Sequence, residues 1–206
     1  AGRVSPGAAR ADGWFMSVAC VVTRAVAAGD WAALLAAFTI ASYALIYTPM
    51  KKVSSTSTII GAVPGALPPV IGSAAAADAL GAGAVAMFAI MFLWQLPHFL
   101  AIAWLYRDDY ARGGFPMLPV LDPTGGSTFR QMVLGCAALL PVGLMPTMLG
   151  MAGPAYFYVA LGCGMAFLAF ALALVARPSK ARARAMFFAS LVYLPVVLAM
   201  MVIDRS

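Results

Sequence analysis

Seven stretches of this chain, approximately 14–29, 32–49, 58–77, 82–105, 131–152, 155–176 and 185–203, are almost free of charge. Between them lie short segments where charge, glycine and proline collect. The hydrocarbon core of a bilayer is about 30 Å thick and is crossed by roughly 20 apolar residues in a helix, so each stretch reads as one span. The first is the shortest and holds Arg24. None alternates apolar and polar residues with a period of two, as a spanning strand would, which leaves the α-helix as the spanning form. Composition agrees: 64% of residues are hydrophobic and only 10% charged, where a soluble domain carries about a quarter. The expected fold class is all-α, a polytopic transmembrane helical bundle formed by a single domain over 1–206, with no tandem repeat and no linker.

The net charge of +6 does not point to nucleic acid, because a binding face of that kind clusters Lys and Arg on a soluble scaffold. Here the basic residues fall on alternate connections. Arg3, Arg10, Lys51, Lys52, Arg107, Arg112, Arg130, Arg177, Lys180, Arg182 and Arg184 share one side. The other side carries Asp30, Asp78, Arg205 and the neutral turn 150–154. Inner loops retain Lys and Arg, so the N-terminus is placed inside, the C-terminus outside, and the long connection 106–130 inside. Ala1 is not an initiator Met and residues 1–13 hold no apolar signal core, which reads as a processed or partial start. Cys20, Cys136 and Cys163 are far apart within spans and read as small buried hydrophobes, without a disulfide or a metal site.

Four polar clusters stand at or near the inner ends of spans. In Tyr47-Thr-Pro-Met-Lys51-Lys52 a phenol and an ammonium are four residues apart and share a helical face. Taken alone the group reads as an interfacial aromatic with snorkelling lysines, and its functional alternative is an anion clamp. The third span holds Gly61, Pro64, Gly65, Pro68, Pro69 and Gly72. Such broken backbone at membrane depth implies a cavity or a close helix contact. In Trp94-Gln95-Leu-Pro97-His98-Phe99, Gln95 and the only histidine are three residues apart and are expected on one face. Pro97 deprives the Leu93 carbonyl of its usual donor, and intramembrane polar groups of this kind are functional candidates or satisfied core groups. In Tyr106-Arg107-Asp108-Asp109-Tyr110-Ala-Arg112-Gly-Gly-Phe-Pro-Met-Leu-Pro, adjacent carboxylates suit Mg²⁺ and Arg112 suits a phosphate. The apolar run that follows argues for a loop folded back on the membrane.

In order and spacing, YTPMKKVSS, GAVPGALPPVIG, WQLPHF and DDYARGGFPMLPV resemble the protoheme IX farnesyltransferase (heme O synthase) family, a branch of the UbiA-type intramembrane prenyltransferases. AGRVSP and AMFFASLVYLP extend the resemblance over nearly the whole chain. The resemblance implies nine helices, of which this chain holds the last seven. It places the family's first acidic motif, N-D-x-x-D-x-x-x-D, upstream of Ala1. Ser57 stands where the family usually has Asn, and Ser73 where Gly-Trp is common. The second acidic motif is reduced to Asp108-Asp109-Tyr110 rather than the D-x-x-x-D of quinone-type relatives.

The implied reaction joins the farnesyl group of farnesyl diphosphate to the vinyl group of heme b with addition of water, giving heme O and diphosphate. The implied roles are metal ligation by Asp109 and Asp108 through Mg²⁺, and diphosphate binding by Lys51, Lys52, Arg112 and Tyr110. Tyr47 would face the diphosphate or the allylic cation, the segment Pro64 to Gly72 would take the farnesyl chain, and His98, Gln95 and Trp94 would contact heme. Heme A synthase or terminal oxidase assembly would be the partners, in a bacterial inner membrane or its mitochondrial counterpart. Two alternatives stay open at this point: a relative that prenylates a quinone precursor, and a small membrane transporter, which would show inverted repeats.

Overall fold

Serine, glycine and proline decide where the helices begin and end, and several begin earlier than their apolar stretches. The computed structural model describes residues 5–77 and 79–205; Arg3 and Asp78, two of the charges used to orient the chain, lie outside the described residues. Among the described residues there are helices and no strands. In α1 (Pro6–Ala28), the Ser5 side chain accepts the Ala8 N–H at 3.2 Å, and this cap starts the helix well before the apolar run at 14. Gly29, at φ 83°, turns the chain into α2 (Asp30–Ala41). A π-helical segment, Ser42–Tyr47, and α3 (Thr48–Met50) complete that span.

The third span is broken, as its prolines imply. α4 (Ser57–Ala66) ends at Leu67, and α5 (Pro68–Ala77) begins with two residues that have no N–H to donate. α6 (Ala82–Leu105) passes through Pro97 without ending. The connection after α6 holds α7 (Arg107–Arg112) and α8 (Leu118–Leu121). Next comes α9 (Gly126–Met148), which starts before the expected 131 because the Asp122 carboxylate accepts the Ser127 N–H at 2.6 Å. Its other end is closed by Gly150 at φ 68°, with Met151 N–H bonded to the Pro146 carbonyl at 2.8 Å and Gly150 N–H to Thr147 at 3.0 Å. This is a left-handed glycine cap, and it stops the helix four residues short of the expected 152.

α10 (Pro154–Ala176) is capped from a distance: the Asp204 carboxylate accepts the Tyr156 N–H at 2.7 Å. In α11 (Lys180–Ile203), the Ser179 hydroxyl accepts the Arg182 N–H at 3.2 Å, so the basic first turn is helical too. Among the described residues, seven helical segments are long and apolar enough to cross a membrane.

α6 is the central post. It packs on α9 and α11 on one side and on α4 and α5 on the other, while α10 completes the α9–α11 side and α1 and α2 flank α4 and α5. Small residues permit the close approaches. A Cβ on Gly135 would lie 3.1 Å from the Pro97 ring, and one on Gly164 would lie 2.7 Å from a Leu140 methyl. The main core joins Ile90, Met132, Leu139, Tyr156, Phe167 and Val197 among others from α6, α9, α10 and α11. α1, by contrast, has no buried residue among those described, and its Trp14, Val18 and Val26 are exposed in the way a lipid-facing helix requires. Cys20 sits on this exposed helix, against the expectation of burial; Cys136 is buried, and all three cysteines are free.

Candidate functional site

The wall of the site begins with a local distortion. Pro49 has no N–H for the carbonyl four residues before it. In the turn ahead of it, the Thr48 N–H bonds five residues back to Tyr43, whose carbonyl also accepts the Thr48 hydroxyl at 2.9 Å. This widened turn stacks Tyr43 on Tyr47, with ring centroids 4.9 Å apart and planes tilted by 39°. Such π-helical turns recur at functional sites. Lys51 continues the series, its Nζ 5.7 Å from the centre of the Tyr47 ring. A phenol, a phenol and an ammonium therefore form a ladder that climbs toward the α3–α4 connection.

α4 lies against this ladder because it lacks side chains there. A Cβ on Gly61 would lie 2.7 Å from Cδ2 and Cε2 of Tyr47, and one on Gly65 would overlap the Gln95 Oε1. The two glycines, one turn apart, thus seat a polar side chain from each flanking helix. Gln95 is buried (4% exposed) and its Nε2 donates to the Met91 carbonyl at 3.1 Å.

These residues surround a cavity of about 700 Å³. Tyr43, Tyr47, Gln95 and Tyr110 are its principal polar walls, with Ser17, Thr39 and Thr58. Pro64, Phe99, Ile102 and Met117 are apolar walls. Tyr110 and Met117 reach it because the inner loop folds back. Gly114 turns at φ 71°, the Phe115 N–H bonds to the Tyr110 carbonyl at 3.0 Å, and the Phe115 ring stands edge-on to Tyr110 at 6.3 Å.

On α7, Asp108 and Asp109 are exposed and directly precede the cavity-lining Tyr110. Asp109 is ion-paired with Arg112, while Asp108 lies 3.7 Å from Arg107 Nε and 3.8 Å from Lys180 Nζ. Arg107 also covers the Trp104 ring at 4.8 Å. Two adjacent carboxylates are suitable donors for a hard divalent cation that draws its other ligands from water or substrate oxygens. Among the described residues no third acidic, His or Cys side chain joins them.

Of the residues singled out in the sequence, Tyr47, Gln95 and Tyr110 are thus brought to one cavity. Lys51 stands over Tyr47; Asp108, Asp109 and Arg112 are exposed on α7 beside the cavity-lining Tyr110, and Lys52 is exposed on the α3–α4 connection. His98 and Trp94 turn elsewhere, which corrects the expectation that Gln95 and His98 share a face. The Trp94 Nε1 donates to the Ser190 carbonyl at 2.8 Å. The His98 Nδ1 is 2.7 Å from the Ser190 hydroxyl, which itself donates to the Phe187 carbonyl at 2.5 Å. The single hydroxyl proton is spent on Phe187, so the His98 Nδ1 carries the proton and donates. The ring lies between Trp94 (4.8 Å) and Phe187 (5.2 Å).

The expected apolar chamber over Pro64 to Gly72 is corrected as well. Only its first part, Pro64 and Gly65, faces the cavity, together with Gly61 just before it, while Leu67 and Val70 pack with Ala84 in a separate core. Sequence reasoning passed over Tyr43, although its position four residues before Tyr47 placed it on the same face. It also gave no role to Phe99, four residues after Gln95.

Residues 1–192 match the UbiA prenyltransferase family. Over 204 residues, 99% of this chain, it is 46% identical to a protoheme IX farnesyltransferase of Solibacter usitatus and spans 70% of that protein. It is 47% identical to one from Koribacter versatilis (84% of this chain, 58% of the relative) and 41% identical to one from Anaeromyxobacter sp. strain Fw109-5 (96% and 66%). The chain thus covers 58–70% of the length of these relatives. Its backbone superposes on the solved structure of a digeranylgeranylglyceryl phosphate synthase with a TM-score of 0.82 at 15% identity, over 99% of this chain and 71% of the other.

Proposed function

The chain belongs to the UbiA prenyltransferase family and, within it, to the protoheme IX farnesyltransferases, and from that premise we propose that the protein carrying it transfers the farnesyl group of farnesyl diphosphate to the vinyl group of heme b, releasing heme O and diphosphate. The observation that carries this reading is the Tyr43–Tyr47–Lys51 ladder at a largely apolar cavity, with a carboxylate pair next to its Tyr110 wall. Such a wall suits a ligand that is anionic at one end and hydrocarbon at the other.

The hard step is breaking the allylic carbon–oxygen bond. The barrier falls when charge on the departing diphosphate is neutralised and when the allylic cation is kept from water. Asp108 and Asp109 would hold a divalent cation, and Mg²⁺, when bound, supplies charge neutralisation to the diphosphate. Lys51 and Arg112 offset the remaining negative charge, with Lys52 near the entrance. Tyr110 and Tyr47 offer hydroxyl donors to diphosphate oxygens, and the faces of Tyr47 and Tyr43 attract the allylic cation. Phe99, Ile102 and Met117 keep the prenyl chain in an apolar surround.

The proposed setting is a bacterial inner membrane, with heme A synthase or terminal oxidase assembly receiving the product. The test is to supply the purified complete gene product, reconstituted in lipid, with farnesyl diphosphate, Mg²⁺ and either heme b or an aromatic quinone precursor. Farnesylation of heme alone is the expected result; prenylation of the aromatic acid with heme untouched overturns the reading.

A further inference from the structure

Gln95 is the buried member of the polar side chains that line the cavity. Its amide orientation is decided by its neighbours, because the Met91 carbonyl at 3.1 Å can only accept, and so the group facing it is Nε2. Oε1 is therefore the atom set against Gly65, where a Cβ would overlap it. No hydrogen bond within the protein, among the described residues, uses that oxygen. An acceptor that stands in a cavity wall without a donor from the protein is placed for a donor that arrives with the ligands.

Resting on the proposed reaction, the choice of donor is narrow. The farnesyl chain and the vinyl group have none, and ionised propionates only accept. Water is the remaining reactant, and it carries two O–H donors. We propose that Gln95 Oε1 holds the water that adds to the farnesylated heme. The depth is suitable: Gly61 marks the level of Tyr47 and Gly65 that of Gln95. Four helical residues separate the two levels by about 6 Å, within reach of a substrate whose reacting carbon faces Tyr47.

The chemistry balances as follows. The allylic carbon–oxygen bond breaks and diphosphate leaves with the electron pair. The terminal vinyl carbon bonds to the farnesyl C1, which leaves a cation on the vinyl carbon attached to the porphyrin. The oxygen of the held water bonds to that carbon, and the proton it sheds goes to a diphosphate oxygen. Without an oriented water, the same cation instead loses a proton from the neighbouring carbon and closes to an alkene.

The test uses the complete enzyme and reads the ratio of hydroxylated to alkenyl farnesyl-heme by mass, which does not depend on how much protein folds. Gln95→Met, similar in length but without the carbonyl, is expected to lower that ratio by about tenfold, the rate equivalent of one hydrogen bond. Gly65→Ala, which displaces the carboxamide without removing it, should move the ratio the same way. A wild-type ratio in both Gln95→Met and Gly65→Ala overturns the assignment of Gln95. Absence of any farnesylated heme from the wild-type enzyme would instead overturn the proposed reaction itself.

Discussion

The ring of Tyr47 occupies the space that a side chain at Gly61 would need: a Cβ there would stand 2.7 Å from two of its ring carbons. This contact lets α4 press against the second span and fixes the ring on the cavity side. Gly61→Ala should therefore move the ring, at an overpacking cost of about 1–3 kcal/mol. Farnesyl transfer is expected to fall further than the thermal midpoint does, and equal activity in the variant would mean the ring's position does not matter.

Asp109, on α7, is ion-paired with Arg112. Asp109→Asn keeps the shape and removes the charge that would bind a divalent cation. The expected outcome is a loss of heme O of at least about 100-fold, the scale seen when one preorganised charge-stabilising group is removed. It is checked by heme extraction beside an immunoblot for the protein. Wild-type levels of heme O would remove Asp109 from the metal role.

Much of this fold was legible because lipid demands long apolar runs, and the seven spans announce themselves in the chain. The broken third span was legible for a similar reason, since Pro68 and Pro69 cannot donate. Which way each helix faces was harder to read. In a bilayer the outer surface is apolar too, so α6 carries hydrophobic residues all round and gives no stripe to separate the Gln95 side from the His98 side. The π-helical turn was likewise hidden. It depends on how Thr48 uses its backbone and hydroxyl together against Tyr43, and no residue pattern records that.

The buried His98–Ser190 contact is expected to matter for stability. Ser190→Ala removes the acceptor of the Nδ1 proton and leaves it unpaired. A loss of about 1–3 kcal/mol should follow, seen as a lower unfolding midpoint in detergent with the product mixture unchanged. An unchanged midpoint would show that the ring finds another partner.

Asp122 starts α9 by receiving the Thr124 hydroxyl and the Ser127 N–H, each at 2.6 Å. The Thr124 hydrogen bond, then that from Ser127, holds its carboxyl below the ordinary value of 3.8. The folded form therefore favours the charged group. Its contribution is fully present above pH 3.8 and disappears as pH falls through the lower folded-state value. Amide exchange at Ser127, corrected for its intrinsic pH dependence, should accelerate only in that acidic range. In Asp122→Asn it should be faster at neutral pH and lose that step.

The most direct test of the central claim is the mass of hemes extracted from cells that express the complete gene in a host lacking its own heme-farnesylating activity. Heme O, heavier than heme b by one farnesyl group and one hydroxyl, is the predicted product. Its formation should be abolished when Tyr47 and Lys51 are both replaced by alanine. Heme b alone from well-expressed wild-type protein, or heme O undiminished in the double variant, would contradict the account.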